Sequence, residues 1–203
     1  MKTLLLIILG ILLLLLASVQ VFISFDMAKT ETQPYQVKWK QNEFEARYYP
    51  KAIVATVSSS SSTYKGSSNT QFRILAGYIF GGNESGESIA MTSPVHMSFS
   101  ENRSTMSFVM PAEMELEKLP MPKDRGIQLD ETTEKYAVSI QFGGWASDAK
   151  IAVNAKKLID KLNEAGIQIK SKPWYMGYNP PYQIFNPRNE VAVEISAEDI
   201  ARL

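Results

Sequence analysis

The stretch YAVSIQFGGWASDAKIAVNAKKLIDKLNEAG, residues 136–166, decides the fold. Tyr136, Val138, Ile140 and Phe142 recur at every second position, the period of a strand with one buried face. Gly143-Gly144 turns the chain. Ser147 or Asp148 then stands where a helix N-cap belongs, and Ile151, Ala152, Ala155, Leu158, Ile159 and Leu162 keep the spacing of one helical face. Gly166 stops that helix. Two strands follow, around Trp174–Ile184 and at Glu190–Ile195, where Val191, Val193 and Ile195 alternate with Ala192 and Glu194. The unit is strand–helix–strand–strand.

The same order precedes it. Phe44, Ala46 and Tyr48 alternate with Glu45 and Arg47 and predict a half-buried strand, interrupted at Pro50 and resumed over Ile53–Val57. The serine run Ser58–Ser62 reads as a flexible loop. Ser68-x-x-Gln71 has the form of a capping box and predicts the start of a helix with Phe72, Leu75, Ala76, Ile79 and Phe80 on one stripe. Gly81-Gly82 ends it, and strands are predicted over Ser88–Phe99 and Thr105–Met110. One such unit cannot cover both of its apolar faces. Two of them packed together can, which predicts a single α+β domain of curved sheet or barrel with both amphipathic helices against it.

Composition excludes much chemistry. With 21 basic and 21 acidic side chains the net charge is zero, which argues against a nucleic-acid partner held through phosphates. There is no cysteine, so no thiolate nucleophile, zinc–thiolate or iron–sulfur site. A single histidine, His96, excludes a multi-histidine metal cage. No acid–base pair stands at a recognisable spacing, and the chain is read as a binding protein and not an enzyme. Gly81-x4-Gly86-Glu87-Ser88 imitates a phosphate loop but has Glu where lysine is needed. Asn83-Glu84-Ser85 and Asn102-Arg103-Ser104 have the form of glycosylation sequons at turns.

The N-terminus differs from the rest. Leu4–Phe25 carries no charge and as a helix would reach about 33 Å, enough for a bilayer core. It reads as an uncleaved single-pass transmembrane helix, or else as a cleaved signal peptide with an unusually long apolar part. The expected organisation is a membrane anchor over 1–26, a linker over 27–34 and a globular domain over 35–203 outside the cytoplasm.

Seven stretches together resemble the SOUL family of haem-binding proteins. They are Glu43–Pro50, Gly82-Asn83 followed by Ile89–Val95, Phe108–Pro111, Leu119–Pro122, Phe142–Ala146, Tyr178–Tyr182 and Arg188–Glu194, in the family's order. The resemblance implies a distorted β-barrel built from a duplicated strand–helix–strand–strand unit with two helices. It implies haem or another tetrapyrrole as ligand. It places the ligand over the first helix at Phe72, Arg73, Ala76, Ile79 and Phe80, closed in by Tyr178. The stretch after Arg47 reads Tyr-Tyr-Pro-Lys, with no histidine, so ligation of iron by histidine is not expected. A protein-interaction scaffold on the same fold, or a small-molecule hydrolase using a pocket carboxylate, are the alternatives. A protein partner is unknown.

Overall fold

The structure is a computed structural model. It describes residues 30–180, 183 and 187–203, together with 2–4, 7–12, 14, 15, 18 and 19. The domain holds β1 (Glu31–Thr32), β2 (Gln36–Gln41), β3 (Phe44–Tyr49), β4 (Ala52–Ser59), α1 (Tyr64–Ile79), β5 (Thr92–Ser93), β6 (Val95–Ser100) and β7 (Arg103–Val109). There follow β8 (Ile127–Thr132), β9 (Lys135–Gly143), α2 (Asp148–Glu164), β10 (Trp174–Gly177) and β11 (Arg188–Ile195).

Nine strands form one antiparallel sheet in the order β2-β3-β9-β11-β10-β6-β7-β4-β8. The two units are legible in that order. The first contributes β4-β7-β6 and the second β9-β11-β10, joined where β6 pairs with β10 from Val95 opposite Gly177 to Ser98 opposite Trp174. The sheet curls strongly, but β2 and β8 end it without pairing to each other, so the expected barrel is an open half-barrel. β1 and β5 form a separate parallel pair, so the segment read as a linker has strand pairing at Glu31–Thr32.

Helix α2 begins and ends where its sequence signals stand. Ser147 caps it by accepting a hydrogen bond from the Lys150 N–H, and Gly166 leaves it at a positive φ of 67°. Helix α1 begins earlier than the capping-box reading. Thr63 is its cap, accepting from the Gly66 N–H, and Asp148 at the head of α2 accepts from the N–H groups of Tyr64 and Lys65. Gln71 does not turn back to the helix start. Its side-chain amide donates to the carbonyls of Val57 and Ser104 in the sheet.

Side chains alternate between the two faces of each strand. The helices cover one face. There Leu75, Tyr78 and Ile79 of α1 and Leu158 and Leu162 of α2 pack with Ala46, Val57, Met97, Met106, Phe108, Val138, Ile140, Val191 and Val193. The opposite face gathers Tyr49, Ala137, Trp174, Met176, Tyr178 and Ala192. Met97, Met106, Met110 and Met176 are all buried, the gap-filling role that suits a flexible thioether.

The membrane reading is corrected. Among the described residues no helix is long and apolar enough to cross a membrane, so a single-pass protein with an extracytoplasmic domain is not supported. Hydropathy measures how apolar a stretch is, but a span also needs about 20 residues of continuous helix. Of the expected span, 4, 7–12, 14, 15, 18 and 19 are described, all as helix, and 5, 6, 13, 16, 17 and 20–25 lie outside the described residues.

Candidate functional site

Helix α1 turns Leu75, Tyr78 and Ile79 into the core and leaves its other side open. Taking Arg73 as zero on the helical wheel, Ala76, Gly77 and Phe80 fall within about 60° on either side of it. Arg73 and Gly77 are exposed, and Ala76 is half-buried. Phe80 is 66% exposed although it is a large aromatic. A Cβ placed on Gly77 would meet nothing within 4 Å. The outer side of α1 is therefore a low shelf of Ala76 and Gly77, about 10 Å long, between a guanidinium and a phenyl ring.

The loop after α1 holds one end of this shelf. Gly81 takes a positive φ of 99°, and the Gly82 N–H donates to the Gly77 carbonyl. The Glu84 N–H donates to the Met121 carbonyl, and the Lys123 N–H donates to the Gly82 carbonyl. The Tyr78 hydroxyl donates to the Pro120 carbonyl, which fastens the same loop to the inner side of the helix. Met121, 60% exposed, so stands beside the loop that follows Phe80. Asn83 is fully buried, and its amide donates to the carbonyls of Tyr78 and Glu87. The first sequon is thus a buried turn and not an open acceptor.

The structure separates the residues that the resemblance brought together. Phe72 is half-buried, edge-on to Phe108 with ring centroids 5.3 Å apart. Arg73, Ala76 and Phe80 line the shelf. Ile79 does not, because it points into the core at 1% exposure. Tyr178 follows β10 on the opposite face of the sheet, so it cannot close a ligand against α1. It belongs to a buried charge network instead.

That network was not read from the sequence. Arg47, 2% exposed, donates to both carboxylate oxygens of the fully buried Glu190, at 2.6 and 3.0 Å, and also pairs with Glu45. Arg188 donates to Glu190 at 2.6 Å and lies over the Tyr178 ring at 4.0 Å. The Tyr178 hydroxyl donates to Glu190 at 3.1 Å, and Arg47 sits 4.3 Å from the Tyr35 ring centre. Burial opposes the Glu190 charge, but the hydrogen bonds and charge of Arg47, with those of Arg188, outweigh it and hold this carboxyl below its ordinary range. Burial pushes Tyr49 up to about 12, and with the Glu190 charge it raises Tyr178 as well. The available signal was the polar row Glu45–Arg47 on a strand otherwise dense in buried residues. It pairs with residues 143 positions away, which no local pattern displays.

His96 is half-buried on this same face. Its Nε2 lies 2.9 Å from the Gln33 side-chain oxygen, which places the proton on Nε2. Burial, helped by the Lys135 charge, lowers it to about 3, so the ring is neutral at ordinary pH. Among the described residues no three His, Asp or Glu side chains gather to hold a metal ion.

The sequence profile of the SOUL heme-binding protein family matches residues 30–194. The chain belongs to the SOUL family. Among its SOUL relatives, Heme-binding protein 2 of Homo sapiens is 30% identical over 156 residues, covering 73% of this chain and 76% of that protein. Heme-binding protein 2 of Mus musculus is 28% identical over 166 residues, with 78% and 80% covered. Heme-binding protein 1 of Xenopus laevis is 31% identical over 157 residues, with 73% and 81% covered. The SOUL fold seen here also resembles the EcmrR C-terminal domain, with a TM-score of 0.57 at 10% identity over 80% of this chain and 98% of that one. A structure described as a hydrolase from Listeria innocua matches with a TM-score of 0.57 at 10% identity, covering 78% of this chain and 94% of that one. At that identity both likenesses concern the fold alone.

Proposed function

We propose that this chain binds haem or another tetrapyrrole on the outer side of α1, with Arg73, Ala76, Gly77 and Phe80 as the bed and Phe72 and Met121 at its margins. The observation that carries this reading is the shelf: a flat guest can lie on Ala76 and Gly77, where the side chains are smallest and Phe80 is left uncovered. Family membership supports the ligand class, since the curated relatives are named for haem binding. Arg73 makes no ion pair among the described residues, which leaves its guanidinium for a propionate of the guest. Phe80 offers a ring face for stacking. When haem is the guest, its iron supplies the redox and optical properties. The protein's own residues bind, orient and partly shield the ring.

Ile79 and Tyr178 drop out of this site. His96 is also outside it, because the register turns it away from the helix face on β6. Iron ligation by histidine is therefore not part of the proposal, and metal-free porphyrin should bind much as haemin does. Binding, and not catalysis, is the reading favoured. Glu190, the deepest carboxylate, is engaged by Arg47, Arg188 and Tyr178 and is not free to act as a base. The test is difference absorption of the chain titrated with haemin and, separately, with metal-free protoporphyrin. Saturable one-to-one changes with both are expected. A lack of saturation with either ligand rejects the proposal.

A further inference from the structure

The face of the sheet away from the helices holds a cavity of about 340 Å³, whose lining includes Gln33, His96, Lys135, Lys172, Trp174 and Glu194. It lies at the low end of the range for small-molecule sites, which suits a guest far smaller than a tetrapyrrole. We propose that this cavity is a second binding site, for a small organic monocarboxylate.

Three observations point to that guest. First, Lys135 is half-buried and has no carboxylate within ion-pairing distance among the described residues; its ammonium instead lies 5.0 Å from the centre of the Trp174 ring. Second, Trp174 is 8% exposed, and its indole N–H, shielded from solvent, has no acceptor among the described residues. A buried donor left unpaired is costly; a carboxylate seated on the neighbouring ammonium neutralises that charge and, with a small turn of the indole, accepts its N–H as well. Third, the charges in the wall favour one negative charge and no more. Lys135 and Lys172 are cationic, Glu194 is anionic, and His96 is neutral because burial, helped by the Lys135 charge, holds it so. A dianionic phosphate would meet Glu194, while a neutral guest would leave Lys135 without an ion-paired carboxylate.

The rest of the lining fits the body of such a molecule. Val54 and Val109 add apolar side chains to the lining, and Ser98 and Ser107 add small polar ones, the Ser107 hydroxyl being paired with that of Thr56. Burial lowers Lys135 from its ordinary range, an effect that a bound anion reverses. The site is independent of the tetrapyrrole reading, because it lies on the other side of the sheet.

The test uses the full chain labelled with ¹⁵N, following the three indole N–H resonances, with Trp174→Phe identifying the one of interest. Benzoate serves as probe, with benzamide as its neutral counterpart and phenyl phosphate as the dianion. Benzoate should move the Trp174 resonance saturably at concentrations up to about 10 mM, and benzamide should not. Lys135→Gln should weaken benzoate at least tenfold. Glu194→Gln should tighten it several-fold, a change of opposite sign that a merely structural role would not produce. Haemin binding, read separately by absorption, should not change with benzoate present. The proposal is overturned if benzoate fails to move the resonance, if benzamide moves it equally, if phenyl phosphate binds better, if Lys135→Gln has no effect, or if benzoate displaces haemin.

Discussion

Replacing Arg47 by methionine tests whether the buried charge network holds the fold and whether it stands apart from the ligand. The substitution keeps much of the side-chain volume but removes the donors to both oxygens of Glu190, to Glu45 and to the Tyr49 and Tyr178 hydroxyls. Breaking a buried ion pair on one side costs about 3–5 kcal/mol, because the remaining charge keeps its burial and loses its partner. Glu190 retains Arg188, which places Arg47→Met near the lower bound, about 3 kcal/mol. For a domain of this size that corresponds to a fall in Tm of about 6–12 °C. Urea and thermal unfolding followed by circular dichroism give the value. Haemin titration of the folded variant gives the second reading: affinity should stay within about threefold of the parent, less than ~1 kcal/mol, because the network and α1 lie on opposite faces of the sheet. A loss below about 1 kcal/mol would refute the energetic reasoning. A tenfold loss of haemin affinity in the folded variant would refute the placement of the ligand.

Further outcomes follow from the same geometry. His96 is the only histidine, so its C2 proton is a clean probe. Its folded value of about 3 lies below the unfolded value of about 6.5, so the unfolded chain takes up the proton first and stability should fall as the pH drops from about 6.5 toward 3. The C2–H shift of the native chain should stay flat between pH 8 and 5, and a titration centred near 6.5 would contradict the burial argument. His96→Ala should leave haemin affinity within about threefold; a hundredfold loss with a changed Soret spectrum would show it to be an iron ligand. Arg73→Glu should weaken the free-acid porphyrin and spare its dimethyl ester, since only the acid meets the new charge; equal effects on both would remove Arg73 from the site. Asp148→Ala should cost about 1 kcal/mol in unfolding, as it strips acceptors from the first N–H groups of α1; an unchanged midpoint would mean those groups are satisfied otherwise.

How far the fold could be read depended on how local its causes are. Helix α2 was legible at both ends because Ser147 and Gly166 adjoin it. The start of α1 was misplaced because Thr63 hides at the end of a serine run and its second acceptor, Asp148, comes from 84 residues away. Alternation in β3 put Phe44, Ala46 and Tyr48 on the buried row and took the other row for a solvent face; Phe44 and Ala46 are core, but Tyr48 is only half-buried and its hydroxyl donates to the exposed Glu134. Glu45 and Arg47 are buried there because charges from the far end of the chain meet them. The apolar stripe of α1 was visible, but a helical wheel does not tell which edge of a stripe packs. Ile79 went inward and Phe80 stayed out, and that one-residue difference separates core from candidate site. Tyr178 was singled out by resemblance, and only the pairing of β10 with β11 shows that it faces away from α1.

The most direct test of the central claim is the haemin affinity of Ala76→Trp, measured by difference absorption beside its thermal unfolding. Gly77 is open and Ala76, though it touches the core on one side, is half exposed, so the indole should lean over the bed without disturbing the core. The account predicts at least a tenfold loss of affinity, ~1.4 kcal/mol, with a Tm close to that of the parent. Parental affinity in a folded variant would contradict it and place the ligand elsewhere. A chain that unfolds would show that Ala76 is packed core and not the floor of a site.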